Sequence, residues 1–177
     1  GGPRPMLAVT GTDGKTTTTL LTAHMLEAAG HRVAAVGNTE VPLVAALETD
    51  VDAFVVECSS FRLNWLQSFR AQAAVWLNFA PDHQNWHTSM AAYEAAKARI
   101  WQHQRPTDVA IGFADDPVVM RNLRAVAGIA RTFAAAGADY RLDGAHLVGP
   151  AGTIAPVGCM TRTLPHDLTN ALAASSL

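Results

Sequence analysis

The sequence predicts an α/β fold: a mostly parallel sheet of the P-loop type, flanked by helices, with a short antiparallel β segment near the C-terminus. Three observations predict it. Short apolar runs alternate with alanine-rich helical stretches, the pattern of strands joined by helical crossovers. A glycine-lysine turn, "GTDGKT", separates the first apolar run from the first helical stretch. From about Gly137 the texture changes, and "YRLDGAHLVGPAGTIAPVG" carries turn residues every few positions, which suits short antiparallel strands.

Taken in order, "MLAVT" (Met6 to Thr10) reads as a buried parallel strand. Lys15 to Ala29 reads as a helix, with Leu20, Leu21, His24, Met25 and Ala28 at helical spacing. Gly30 ends it, since glycine accepts the left-handed conformation past a helix C-terminus. "RVAAV" (Arg32 to Val36) is a second strand, and Pro42 to Leu47 a short helix. "AFVVE" (Ala53 to Glu57) and "AAVWLNF" (Ala73 to Phe79) are the third and fourth strands. Met90 to Gln102 is an alanine-rich helix, "DVAIGF" (Asp108 to Phe113) a fifth strand, and Pro117 to Val126 a further helix. "LTNALAASSL" reads as helix up to the last residue. The N-terminal "GGPRP" has no hydrophobic stretch after its one charge, so it reads as a linker or cut end rather than a signal peptide.

Composition sets limits on function. The 177 residues suffice for one domain with a core, and 49% are apolar. A net charge of -2 with no Lys/Arg run gives no built-in attraction for nucleic acid. No apolar run approaches the roughly 20 residues needed to cross a bilayer, so no membrane partner is expected. Cys58 and Cys159 match no metal-ligand spacing and read as reduced, buried thiols of a cytosolic protein.

The turn "GTDGKT" carries the most chemistry. Gly11 and Gly14 let the backbone turn sharply and bring its N–H groups to an anion. The helix that follows adds donors and a partial positive charge at its start. Lys15 reaches for terminal phosphate oxygens, and the Thr16 hydroxyl is a candidate Mg2+ ligand. The loop is shorter than the usual P-loop, because Val9 stands where that pattern has its first glycine. A plain strand-turn-helix with a threonine cap is the alternative. Thr17 to Thr19 cost helix propensity and are read as packing residues.

Other candidates stand at strand ends, where open α/β sheets bind ligands. Glu57 closes an apolar run and is either a Mg2+ ligand or a charge facing water. Asp82 and His83 follow the fourth strand, and a neutral imidazole can hold a metal or a substrate oxygen. Ser59 and Ser60 have a helix N-cap as their structural alternative, Phe61 stands level between a core phenylalanine and a site residue, and Asn38 closes the second strand. His24, His31 and His103 read as structural.

These motifs occur in a set order: "GTDGKTTTT", "GN" at Gly37 and Asn38, "VVECSSFRL" (Val55 to Leu63), "LNFAPDHQNWH" (Leu77 to His87), "YEAAKARIW" (Tyr93 to Trp101) and "HDLTNALAA" (His166 to Ala174). The series resembles the central domain of the Mur ligases, the ATP-dependent amino-acid-adding enzymes of peptidoglycan synthesis. "ECSSFRL" is most similar to the "ELSSFQL" segment of the branch that adds D-glutamate to UDP-N-acetylmuramoyl-L-alanine. The resemblance covers nearly the whole chain. It implies one central domain over residues 1–177 of a three-domain cytoplasmic enzyme, with flanking domains for the uridine nucleotide and the incoming amino acid. It also implies an acyl-phosphate route, in which ATP phosphorylates a substrate carboxylate that the amine then attacks.

The residue roles that follow are implied by the resemblance. Gly11, Thr12, Asp13, Gly14, Lys15, Thr16 and Thr17 hold the ATP phosphates, and His166 and Asn170 approach its adenine end. Glu57, Thr16, His83 and Lys97 surround Mg2+, with Lys97 carbamylated. Asn38, Ser59, Ser60, Phe61 and His83 meet the acyl substrate. Lys15, His83 and Lys97 are the catalytic set. The chain departs from the family pattern at Glu40 (usually glycine), Pro81 (often glutamate), Asn85 (acidic in "DHxDxH") and Asp167 (commonly asparagine). For Asp167 a helix cap and an adenine contact stand level. Folylpolyglutamate synthase, another Mur-like ligase and a nucleotide-binding module without catalysis are the competing functions. "SSF" argues against the first two, and the departures are the only support for the last.

Overall fold

The computed structural model describes residues 4–39 and 41–177. Glu40, and with it the question its charge raised, lies outside the described residues, as do the first three residues of "GGPRP". The first five strands are β1 (Met6–Thr10), β2 (Val33–Gly37), β3 (Ala53–Glu57), β4 (Ala73–Trp76) and β5 (Val109–Phe113). β6 (Ile129–Ala134), β7 (Tyr140–Asp143), β8 (His146–Gly149) and β9 (Gly152–Pro156) follow. They form one sheet in the order β2-β3-β1-β4-β5-β6-β7-β8-β9. Pairing is parallel from β2 through β7 and antiparallel across β7-β8-β9.

The helices are α1 (Lys15–Ala28), α2 (Leu43–Ala46), α3 (Ser60–Trp65), α4 (Met90–Ala98), α5 (Pro117–Leu123) and α6 (Pro165–Ser175). They cover both faces of the parallel part, which is why its strands are continuous apolar runs. Successive strand residues point to opposite faces. Ala8, Val56, Ala74 and Trp76 enter one core layer with Leu63, Ile100 and Trp101. Leu7, Val9, Val55 and Val75 enter the other with Ala171 and Leu172 of α6. The two buried indoles keep their N–H groups satisfied: Trp101 donates to Ala74 O (2.9 Å) and Trp76 to Asn78 O (3.0 Å).

Several boundaries differ from the sequence reading. The fourth strand stops at Trp76, and Leu77 to Ala80 leave the sheet to wrap the glycine-lysine turn. The long helix from Met90 is α4 followed by a tighter turn over Arg99–Trp101. The helix from Pro117 stops at Leu123, short of Val126. α3 was not expected as a helix; Ser59 caps it by accepting from Arg62 N at 3.3 Å. β6 also escaped the reading, because Arg131 and Thr132 interrupt its apolar run and Ile129 is exposed.

The face of α1 is a further correction. Leu20 is 53% exposed and His24 faces solvent, while Thr18, Thr19, Thr22 and Ala23 are buried. The threonines are small enough to let α6 pack close, and the Thr22 hydroxyl satisfies itself on Thr18 O (2.9 Å). Only one of the two thiols is buried: Cys58 is, and Cys159 is exposed.

Candidate active site at the strand ends

β1 delivers the chain to Gly11, and the turn ends at Gly14, whose φ of +81° lies in the left-handed region. A Cβ at Gly14 would stand 2.6 Å from Asn170 Oδ1, so α6 is seated directly on the turn. Thr18 Oγ1 reaches the same Asn170 oxygen at 3.5 Å. Lys15 curls back, its Nζ donating to Thr12 O (2.7 Å) and Gly11 O (3.1 Å).

Lys97 arrives from α4 at the same point. Its Nζ donates to Gly11 O at 2.5 Å and lies 4.6 Å from the centre of the Tyr93 ring, one helical turn earlier. Lys97 is 1% exposed, so it is not a solvated surface lysine. Burial drives its pKa down to about 7, and the charge of Lys15 pushes the same way. Asp82 and Asp13 pull weakly in the other direction. The Tyr93 hydroxyl meets Thr12 Oγ1 at 3.3 Å, and burial raises its pKa.

Glu57 ends β3 with 2% exposure. Asn38 Nδ2 donates to its Oε1 (3.2 Å), while Oε2 is buried and has no hydrogen-bond partner among the described residues. Gly37 makes room for this arrangement: its φ is +106°, and a Cβ there would lie 2.4 Å from Glu57 O. Asn38 and Thr16 line one cleft of about 680 Å³ together with Leu20, Ala35, Thr39 and Val41.

A third group stands beside Tyr93. The Phe61 ring lies 4.7 Å from those of His83 and Trp86, and it stacks on His87 at 5.8 Å. His83 has a φ of +52° and lies 6.1 Å from Tyr93, with its Nε2 3.3 Å from Asp82 Oδ2. His87 Nε2 and Ser60 Oγ share a hydrogen bond of 2.9 Å. Burial lowers the pKa of His87, helped by His83 and Lys97.

The structure thus gathers most of the sequence candidates. Gly11, Thr12, Asp13, Gly14, Lys15 and Thr16 form the turn, joined by Lys97 and Asn170. Asn38 meets Glu57, and Ser60, Phe61 and His83 belong to the aromatic group. Three candidates stand apart. Thr17 is exposed on α1. His166 is exposed one turn before Asn170, its Nε2 3.5 Å from Asp167. Ser59 spends its oxygen on the α3 cap. Asp167 accepts from Leu164 N at 3.2 Å, which is the helix-capping role. Asn85 is exposed.

Two residues of the site were not named as such from sequence. Tyr93 carries a usable signal, four residues before Lys97 on one helix face. Asn78 was read as part of a strand, yet its Oδ1 accepts from both Thr12 N and Asp13 N at 2.9 Å.

For a divalent ion, the buried and unpartnered Glu57 Oε2 is the best evidence of fit. Carboxylate and hydroxyl oxygens are the hard donors that Mg2+ prefers. Among the described residues no three His, Cys, Asp or Glu side chains converge as ligands. Glu57 would therefore act with donors of other kinds, such as the Thr16 hydroxyl and phosphate oxygens.

Residues 9–154 match the family described as the Mur ligase middle domain. The UDP-N-acetylmuramoylalanine--D-glutamate ligase of Frankia casuarinae is 43% identical over 187 residues, covering 100% of this chain and 39% of that protein. The Streptomyces coelicolor ligase of the same name is 38% identical, covering 99% and 41%. The chain spans about two-fifths of the length of these curated relatives. A solved UDP-N-acetylmuramoyl-L-alanyl-D-glutamate--2,6-diaminopimelate ligase matches with a TM-score of 0.74 over 97% of this chain and 42% of its own. At 24% identity that likeness shows the fold alone.

Proposed function

This chain belongs to the Mur ligase family, and from that premise we propose that it is the ATP-binding part of an amide-forming ligase of peptidoglycan precursor synthesis. The reaction joins D-glutamate to UDP-N-acetylmuramoyl-L-alanine through an acyl-phosphate, with the flanking domains of a longer cytoplasmic protein supplying the rest of both substrate sites. Among the described residues no helix is long and apolar enough to cross a membrane.

One observation carries the reading. The amines of Lys15 and Lys97 converge on the carbonyl of Gly11, and among the described residues neither is paired with a carboxylate. The Lys15 ammonium is thus left without a counterion, and an anion would supply one. A polyphosphate seated on the N-terminus of α1 is that anion, since the first-turn amides have no intrahelical partner. Lys15 neutralises charge on the terminal phosphates. Asn170 and His166 hold the nucleoside end. Thr16 and Glu57 would hold Mg2+, which when bound would supply positive charge to the phosphate oxygens. His83, with Asn38, Ser60 and Phe61, orients the acyl carboxylate, which positioning alone makes far more reactive.

Lys97 has a further part. Its burial and its lysine neighbour favour the neutral amine, the form that adds CO2. The carbamate is an anion with two oxygens, suited to a hard cation. It would turn a repelling ammonium into a ligand.

The test is ADP release by the full-length protein with UDP-N-acetylmuramoyl-L-alanine. Release that depends on D-glutamate supports the reading. Release driven instead by a folate acceptor with L-glutamate, or no release with any acceptor, overturns it.

A further inference from the structure

We propose that Asn78 is a positioning residue for the nucleotide: its side chain takes up the Thr12 and Asp13 amides of the turn and so assigns phosphate binding to the amides of Gly14, Lys15 and Thr16. The inference rests on the phosphate-site reading above and names how that site is built.

The contacts are unusually complete. Asn78 Oδ1 accepts from Thr12 N and from Asp13 N, both at 2.9 Å, which uses both lone pairs of one oxygen. Asn78 Nδ2 donates to Asp13 O at 3.2 Å, and Asn78 O accepts from Thr12 N at 3.1 Å. A single side-chain amide therefore grips two consecutive residues of the turn. Gly11 permits the approach, since a Cβ there would stand 2.9 Å from Leu77 Cβ and 3.4 Å from Asn78 Oδ1.

Asn78 is itself held on a rigid segment. Leu77 N donates to Thr10 O (2.8 Å), Phe79 N to Asp116 Oδ2 (2.7 Å) and Ala80 N to Thr12 Oγ1 (3.0 Å). Asp116 is also the N-cap of α5, so the grip is anchored to the sheet and to a second helix.

Two consequences follow for the ligand. The Thr12 and Asp13 amides are already satisfied, so they are not free for an anion. In a planar trans peptide the C=O and N–H point in opposite directions. Holding Asp13 O toward Asn78 thus aims the Gly14 N–H away from it. The next amides, those of Lys15 and Thr16, open α1 with no intrahelical acceptor, and Gly14 has no side chain to cap them. Fixing the turn before the nucleotide arrives removes an ordering cost from binding.

Residue-resolved amide hydrogen exchange on the full-length protein tests this. Without nucleotide, the Thr12 and Asp13 amides are expected to be protected and those of Gly14, Lys15 and Thr16 to exchange fast. Adding ATP with Mg2+ should protect the latter three. Asn78→Ala should remove protection at Thr12 and Asp13 and raise KM for ATP about tenfold, the equivalent of about 1.4 kcal/mol of lost pre-organisation, with kcat within about threefold. Asn78→Asp keeps the acceptor oxygens and should keep both amides protected, which separates the contact from the fold if the alanine variant does not fold. Thr12 and Asp13 exchanging as fast as Gly14 in the parent overturns the proposal. So does an alanine variant with a lowered Tm and an unchanged KM, the signature of a merely structural role. ATP that leaves Gly14 to Thr16 unprotected overturns the phosphate-site reading itself. ATP that protects them while Thr12 and Asp13 stay open overturns only the role of Asn78.

Discussion

The two ends of the parallel sheet treat charge in opposite ways. At the N-terminal ends of the strands two arginines among the described residues are paired with carboxylates, while Arg4 rests on the carbonyls of Leu47 and Thr49. Arg70 grips Asp108 with two bonds of 2.7 and 2.6 Å just before β4 and β5, and Arg105 N adds a third at 2.7 Å. Arg32 pairs with Asp50 and Asp52 just before β2 and β3. At the C-terminal ends the charges are left incomplete. Glu57 has one oxygen without a partner, and Lys15 and Lys97 rest on backbone carbonyls. A buried charge without its counterion destabilises a fold. This incomplete pairing of buried charge is what the proposed ligand site at the C-terminal end would account for.

The largest expected effect comes from removing the half-buried lysine of the C-terminal end. Lys15→Ala should lower ATP turnover by the full-length enzyme about 1000-fold, or about 4 kcal/mol of transition-state stabilisation. The Lys15 side chain bonds only carbonyls of its own turn, so the Tm should stay within a few degrees. Near-parental turnover would mean that the unpaired charges at this end are not phosphate partners.

Next in size is Lys97→Ala, where activity should fall about 100-fold. Acetate or formate supplied at high concentration should restore part of it, by replacing the oxygens of the proposed carbamate. Full activity without any additive would remove Lys97 from the metal site. Glu57→Gln should cost somewhat less, about 30-fold in turnover, because the amide keeps the bond to Asn38 and loses only the charge proposed to hold Mg2+. Nucleotide affinity measured without Mg2+ should not change, and raising Mg2+ should recover activity. A variant equal to the parent at every Mg2+ concentration would leave the buried Oε2 without a function.

How much of this contrast was legible in the sequence depends on how local each feature is. The turn at Gly11 to Thr16 is contiguous, and the apolar run before it and the helix after it place it at a strand end. Glu57 is likewise legible, as a carboxylate that closes the apolar run Ala53 to Val56. Lys97 was legible only through family resemblance. Four of the eight residues from Met90 to Lys97 are alanine, and such a helix reads as surface; its burial comes from packing against the turn 86 residues earlier. Asn78 gave no signal, since its role depends on the chain leaving the sheet directly after Trp76. The face of α1 was misread because leucine outranks threonine in hydrophobicity, while close helix packing against α6 rewards small size. The paired end was unread as well. Arg70 and Asp108 are 38 residues apart and meet only because β4 and β5 are neighbours.

The smallest effects belong to the paired end, and they test whether pairing there differs with burial. Arg70 holds the Asp108 carboxyl below its ordinary range. Asp108→Asn should cost about 2 kcal/mol at neutral pH, because the side chain is 3% exposed and charge-assisted bonds to it are lost. The sign of the pH dependence follows from the lowered pKa. Stability from the Asp108 charge is complete above the unfolded carboxylate value of about 3.9 and is lost as pH falls through the lower folded value. The gap between parent and Asp108→Asn should therefore be constant from pH 7 to about 4 and close below it. Asp52 is brought to about 2 by its bonds with Arg32, yet both side chains are largely exposed. Water and salt screen such a pair. Asp52→Asn should move the Tm by no more than about 2 °C, and 0.5 M salt should remove even that. Thermal unfolding of both variants from pH 7 to pH 3 decides the matter. An Asp52→Asn loss as large as that of Asp108→Asn would show that the paired end owes its stability to charge alone, with burial adding nothing.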